Sequence, residues 1–118
     1  ARHWFGTTPT DTVIQWHYDA FSIPEGATRL AGSPACPNQA WSMGPHLAMQ
    51  FHIEIDDRKA REWAADPDPL WADAIDHYDT VQDSAAITAG IEPHLAQHQT
   101  TADAIYRRWL STTTWALP

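Results

Sequence analysis

From residue 47 to residue 55 apolar and polar side chains alternate without a break. Leu47, Met49, Phe51, Ile53 and Ile55 hold the odd positions, with Ala48, Gln50, His52 and Glu54 between them. A period of two is that of a strand with one face in a core. It predicts that Gln50, His52 and Glu54 share the other face. Three shorter strands are expected upstream, at 12–17, 27–31 and 38–43, where β-branched and aromatic residues concentrate. Pro24, Glu25 and Gly26, then Gly32, Ser33 and Pro34, then Gly44 and Pro45 break the chain between them.

Beyond residue 55 the spacing becomes helical. Asp56 or Asp57 is suited to cap a short helix with Ala60, Trp63 and Ala64 on one face, ended by the Asp and Pro residues at 66–69. Asp68 as cap and Pro69 in the first turn open a second helix, with Leu70, Trp71, Ala74, Ile75 and Tyr78 as its apolar stripe. A third helical stretch is expected from near Thr80, broken around Gly90 and Pro93 and resuming toward Gln97. A last helix, capped by Thr100 or Thr101, places Ala102, Ile105, Tyr106, Trp109 and Leu110 at helical spacing. Strands followed by helices predict a mixed domain of strands and helices over 1–118, with a strand-rich part at 1–55 and helices at 56–118.

Composition narrows the function classes. The 118 residues, 43% hydrophobic and 19% charged, suffice for one core. Seven Trp supply bulky packing material for a small chain, or for a surface that faces a neighbour. A formal charge of -8 repels phosphate backbones and anionic lipids, so neither nucleic acid nor membrane is expected as partner. No apolar run approaches the roughly 20 residues of a membrane span, and the polar start is unlike a signal peptide, so a cytoplasmic location is expected. Cys36 is the single cysteine, which excludes an internal disulfide. The first residue is Ala, not Met, and a fragment is therefore expected.

Two residues apart on one strand, His52 and Glu54 would face the same way. The carboxylate could then orient one ring nitrogen while the other served as a base. The plainer alternative is a half-exposed strand with a polar outer face. His17 and Asp19 repeat the spacing, with the alternative that Asp19 caps a turn and His17 packs on Trp16 or Phe21. Cys36 could act as a thiol nucleophile, but Pro34 and Pro37 flank it and no helix follows; a small buried hydrophobe is the competing role. His94 and His98, four apart, lack an evident third ligand, and no metal site is expected.

Residues Gln50, Phe51, His52, Ile53 and Glu54 resemble the Gln-Phe-His-Pro-Glu signature of class I glutamine amidotransferases. Upstream, Gln15 to Phe21 with Ile23, Pro24, Gly26 and Ala27 is similar to that family's Trp-His-Gly-Asp-x-Phe and Leu-Pro-x-Gly-Ala segments. Ala35 to Trp41 resembles the Cys-Pro-Asn-Gln-Ala-Phe block of its GMP synthase-like branch. The final helix, with Ala104, Ile105, Tyr106 and Trp109, is similar to the end of that branch.

The resemblance implies an α/β fold, the C-terminal part of a flavodoxin-like, three-layer amidotransferase domain. Its chemistry is hydrolysis of the glutamine side-chain amide by a Cys-His-Glu triad, with the ammonia passed to an acceptor and no cofactor required. His52 would be base and acid, Glu54 its orienting partner, and His17, Tyr18 and Asp19 would border the glutamine. Tyr18 stands where the family has Gly, and Ile53 where it has Pro.

The family's nucleophile sits on a Gly-x-Cys-x-Gly elbow, and no such elbow occurs here. The resemblance therefore implies a missing N-terminal half that supplies the thiol, together with a synthetase that receives the ammonia, and the sheet edge left by the missing strands is expected to pair with that half or with another copy of the chain. The chain alone is expected to be inactive. A non-catalytic remnant of the fold and a self-contained Cys36 hydrolase are the alternative readings.

Overall fold

Residues 2–6 and 12–112 are described by the computed structural model, and they form two compact units: Ala1–Ile53 with Gln97–Pro118, and Glu54–Ala96. Nine elements follow one another among the described residues. They are α1 (Arg2–Phe5), β1 (Ile14–Gln15), β2 (Thr28–Ala31), β3 (Ala40–Met43), β4 (His46–Met49), β5 (Phe51–His52), α2 (Asp57–Ala64), α3 (Pro69–His77) and α4 (Ser84–Thr112). Strands in the first half and helices in the second bear out the α/β expectation; α1 was not foreseen.

The first unit holds all five strands, in two antiparallel sheets. One has the order β2-β3-β4 and the other is the pair β1-β5. Gly44, at φ 58°, and Pro45 make a two-residue turn that leaves Met43 opposite His46; a glycine with positive φ placed first matches the twist of such a hairpin. At the other end of β2, Gly32 is required by space. A Cβ there would stand 2.3 Å from the Pro37 carbonyl oxygen, to which Arg29 Nη1 also donates at 2.9 Å.

The single strand expected at 47–55 is instead two. β4 ladders with β3, the chain bends at Gln50, and β5 continues in the other sheet opposite β1. A ladder needs a partner for its backbone groups as well as an apolar face, and the partner changes at Gln50. The burial alternation survives this break: Phe51, Ile53 and Ile55 are buried while Glu54 and Asp56 are exposed. The ladder nevertheless stops at His52, and Glu54 lies in a bend, not on a strand.

Ala40, Phe51, Ile53, Ala102 and Ile105 form the core of the first unit, with Phe5, Val13, Leu30, Leu47 and Met49 packed around them. Phe5 meets Phe51 edge-on at 6.0 Å between ring centroids, and Arg108 Nε donates to His3 Nε2 at 2.9 Å, so α1 closes against this core and the end of α4.

Neighbour-to-neighbour bonds dominate the second unit. Asp56 Oδ1 accepts from Lys59 N at 2.7 Å and Asp68 Oδ1 from Leu70 N at 2.9 Å, as the capping pattern predicts. Ala60 and Ala64 are buried on α2, while Arg58 pairs with Glu62 and Arg61 with Asp57 on its outer side. The Asp57 hydrogen bond, and then its charge, raise the Arg61 guanidinium above its ordinary value. On α3, Trp71 is buried and donates from Nε1 to the Gln82 carbonyl at 3.0 Å. Leu70 and Tyr78, expected in the stripe, are exposed instead.

The third and fourth helical stretches are one helix. α4 starts at Ser84, where Asp83 Oδ1 caps Ala86 N at 2.7 Å, and runs through Gly90, Pro93, Thr100 and Thr101. Proline inside a helix costs about 3 kcal/mol. Buried Ile91, His98, Thr101, Ala102 and Ile105 recur at helical spacing across it, and each buried aliphatic side chain returns roughly 1.5–3 kcal/mol, enough to carry the helix through. No helix among the described residues is long and apolar enough to cross a membrane.

Candidate functional site

His52 is the last residue of β5, opposite Ile14 on β1, and half-buried. Its Nε2 lies 3.2 Å from the carbonyl oxygen of Trp16, the first residue after β1. A carbonyl only accepts, so this bond holds a proton on Nε2 and fixes the ring's orientation. A neutral imidazole so held has its lone pair on Nδ1. Its half-buried place beside a two-stranded ladder restricts the ring further.

After Trp16 the chain runs through residues 17–20 without regular structure. His17 is half-buried and braces that run from inside: Nδ1 donates to the Asp19 carbonyl at 2.8 Å, and Nε2 is 3.2 Å from Gln15 Oε1. Asp19 meets His17 through its backbone here. Tyr18 is 60% exposed and Asp19 is also exposed. Of the three residues implied as a glutamine border, Tyr18 therefore presents most of its side chain to solvent.

Phe21 ends this run and is gripped from two sides. Gln50 Oε1 accepts from its N–H at 2.9 Å, and Asn38 Nδ2 donates to its carbonyl at 3.3 Å. The same Gln50 donates from Nε2 to Cys36 Sγ at 3.1 Å, and its backbone N–H donates to the Gln39 carbonyl at 2.9 Å. Sequence reasoning missed these roles of Gln50 and Asn38. An amide on the polar side of an otherwise regular strand was the available signal, because only tertiary partners make a buried carboxamide favourable.

Cys36 is 8% exposed, in a turn where Ser33 N donates to its carbonyl at 2.9 Å and Cys36 N donates to Ser33 Oγ at 3.1 Å. Its sulfur accepts from Gln50 and approaches the Asn38 carbonyl at 3.8 Å. A reactive thiol is exposed in electropositive surroundings, whereas this one is enclosed by amides. Glu54 begins the second unit and is exposed. His94 is half-buried and His98 buried on α4; among the described residues no group of three or more His, Cys, Asp or Glu side chains could hold a metal ion.

No protein-family model matches the sequence, and no curated protein does. Among solved structures, the chain is similar to the crystal structure of a glutamine amido transferase from Methylobacillus flagellatus, at a TM-score of 0.80 and 29% identity over 96% of this chain. The fold is glutamine amidotransferase-like. The likeness supports the class I resemblance carried by the three sequence blocks. This chain spans 47% of the length of that structure's chain.

Proposed function

We propose that the chain supplies the base half of a glutamine-hydrolysing site of class I, in the GMP synthase-like branch. In this reading His52 takes the thiol proton from a cysteine on other polypeptide, the thiolate attacks the glutamine side-chain amide, and His52 returns the proton to the departing ammonia. Glu54, the partner that the resemblance implies, stabilises the protonated ring by its charge. His17, Tyr18 and Asp19 border the substrate. The remainder of the domain brings the thiol; a synthetase consumes the ammonia; the setting is cytoplasmic. The observation that carries the reading is an oriented, half-buried imidazole at the end of β5, in a fold that superposes on a glutamine amido transferase.

Ammonia release from glutamine by the complete protein tests it. His52→Ala is expected to lower the rate about a thousandfold, within the 10²–10⁴ range that a positioned general base contributes. Cys36→Ser is expected to keep most of the rate. A His52→Ala protein as active as the parent would remove His52 from the mechanism. Loss on Cys36→Ser as deep as on His52→Ala would favour a Cys36 hydrolase, and a complete protein that releases no ammonia would favour a non-catalytic remnant.

A further inference from the structure

We propose that Gln50 and Asn38 are positioning residues, which hold the far end of the 16–21 segment so that the Trp16 carbonyl at its near end fixes the His52 imidazole. The role assigned to His52 rests on the reading above, but the geometry stands by itself. The 16–21 segment has no ladder of its own. One end leaves β1, where pairing with β5 sets it beside His52, and the Trp16 carbonyl there is 3.2 Å from Nε2. The other end is Phe21, whose N–H and carbonyl are both taken by side chains, Gln50 at 2.9 Å and Asn38 at 3.3 Å. Between them the His17 ring donates from Nδ1 to the Asp19 carbonyl, which stiffens the middle.

A segment pinned at both ends and braced between them transmits a displacement of Phe21 to Trp16. Released at Phe21, it would lose both backbone bonds that fix its far end. Gln50 is well suited to this work because it sits at the bend between β4 and β5, two residues before His52, and is itself anchored by its backbone bond to Gln39 and its side-chain bond to Cys36. Carboxamides fit both ends of the grip: Gln50 needs an acceptor toward Phe21 and a donor toward Cys36, and Asn38 needs a donor toward the Phe21 carbonyl. A half-satisfied polar network is costly, so loss of one member should loosen the others.

The test reads His52 directly, by the nitrogen-15 signature of its imidazole in the chain, together with amide hydrogen exchange. In the parent, neutral His52 is expected to be protonated on Nε2. Gln50→Leu is expected to turn that signature into a mixture of tautomers and to speed exchange of the Phe21 amide about tenfold, with the β2-β3-β4 amides unchanged.

Parent-like His52 in Gln50→Leu once Phe21 is released would overturn the proposal, as would equal acceleration across the β2-β3-β4 sheet. Should Gln50→Leu not fold, Asn38→Ala, which removes only the donor to the Phe21 carbonyl, is read in the same way. Activity separates the two claims. A responsive His52 in a complete protein whose ammonia release is indifferent to His52→Ala sinks the function and leaves the positioning. An unresponsive His52 in a protein that His52→Ala inactivates does the reverse.

Discussion

The two units are held together in different ways. In Glu54–Ala96 the hydrogen bonds described above join residues close in sequence: Asp56 with Lys59, Asp57 with Arg61, Asp68 with Leu70, Trp71 with Gln82, Asp83 with Ala86. In the other unit Ile14 pairs with His52, Phe21 with Gln50, and Phe51 shares a core with Ile105. Local bonds are recovered as soon as a helix forms, whereas distant pairs require loop closure first and fail together. The candidate base belongs to the second kind of structure. Its ring is held by a carbonyl 36 residues away, so anything that opens the β1-β5 pair also disorients His52.

The largest effect is expected at Ile105, the largest fully buried side chain, at 2% exposure. Ile105→Ala should destabilise by about 3 kcal/mol, the usual cost of such a cavity, in urea unfolding. Hydrogen exchange should accelerate at Phe51 and His52 and leave α3 near its parent rates. Equal acceleration of α3 would show that the two kinds of structure open as one, and the contrast would have to be abandoned.

Gly32→Ala comes next. Its Cβ would press on the Pro37 carbonyl, a backbone atom that cannot swing aside, so a loss of about 2 kcal/mol is expected. The strain should spread to the Cys36 turn and the Gln50 network, visible as shifted amide resonances at Phe21. A parent-like unfolding midpoint would mean that the 33–37 turn yields freely.

Smallest are the caps, where Asp56→Ala and Asp68→Ala should each cost about 1 kcal/mol. Their effects on exchange should be confined to the first turns of α2 and α3. Spread of either effect to Phe21 or His52 would contradict the local character assigned to this unit.

Element order was legible because its signals are short. Asp56 and Asp68 cap where the pattern places them, Pro69 opens α3, and Gly44 turns β3 into β4. Helix length was less legible: Pro93 is a breaker by local rule, and only the buried residues on either side of it overrule that. The exposure of Leu70 and Tyr78 was illegible for the same reason, since spacing predicts a stripe but does not say what covers it. At the candidate site, alternation singled out His52 and correctly put Phe51 and Ile53 in the core. It did not reveal that the strand changes partners at Gln50, because period two is blind to which backbone lies alongside.

By itself the sequence determined the α/β order, the helix caps, the buried phase of residues 51–55 and the resemblance borne by three short blocks, all of which depend on residues within a few positions of one another. Only the tertiary structure decided that β4 and β5 serve different sheets, that α4 passes through Pro93, that Cys36 is enclosed by amides, and that Gln50 and Asn38 grip Phe21 while Trp16 holds His52. Those outcomes depend on which distant groups are left to satisfy a backbone N–H, a carbonyl or a buried face, and chain closure alone settles that.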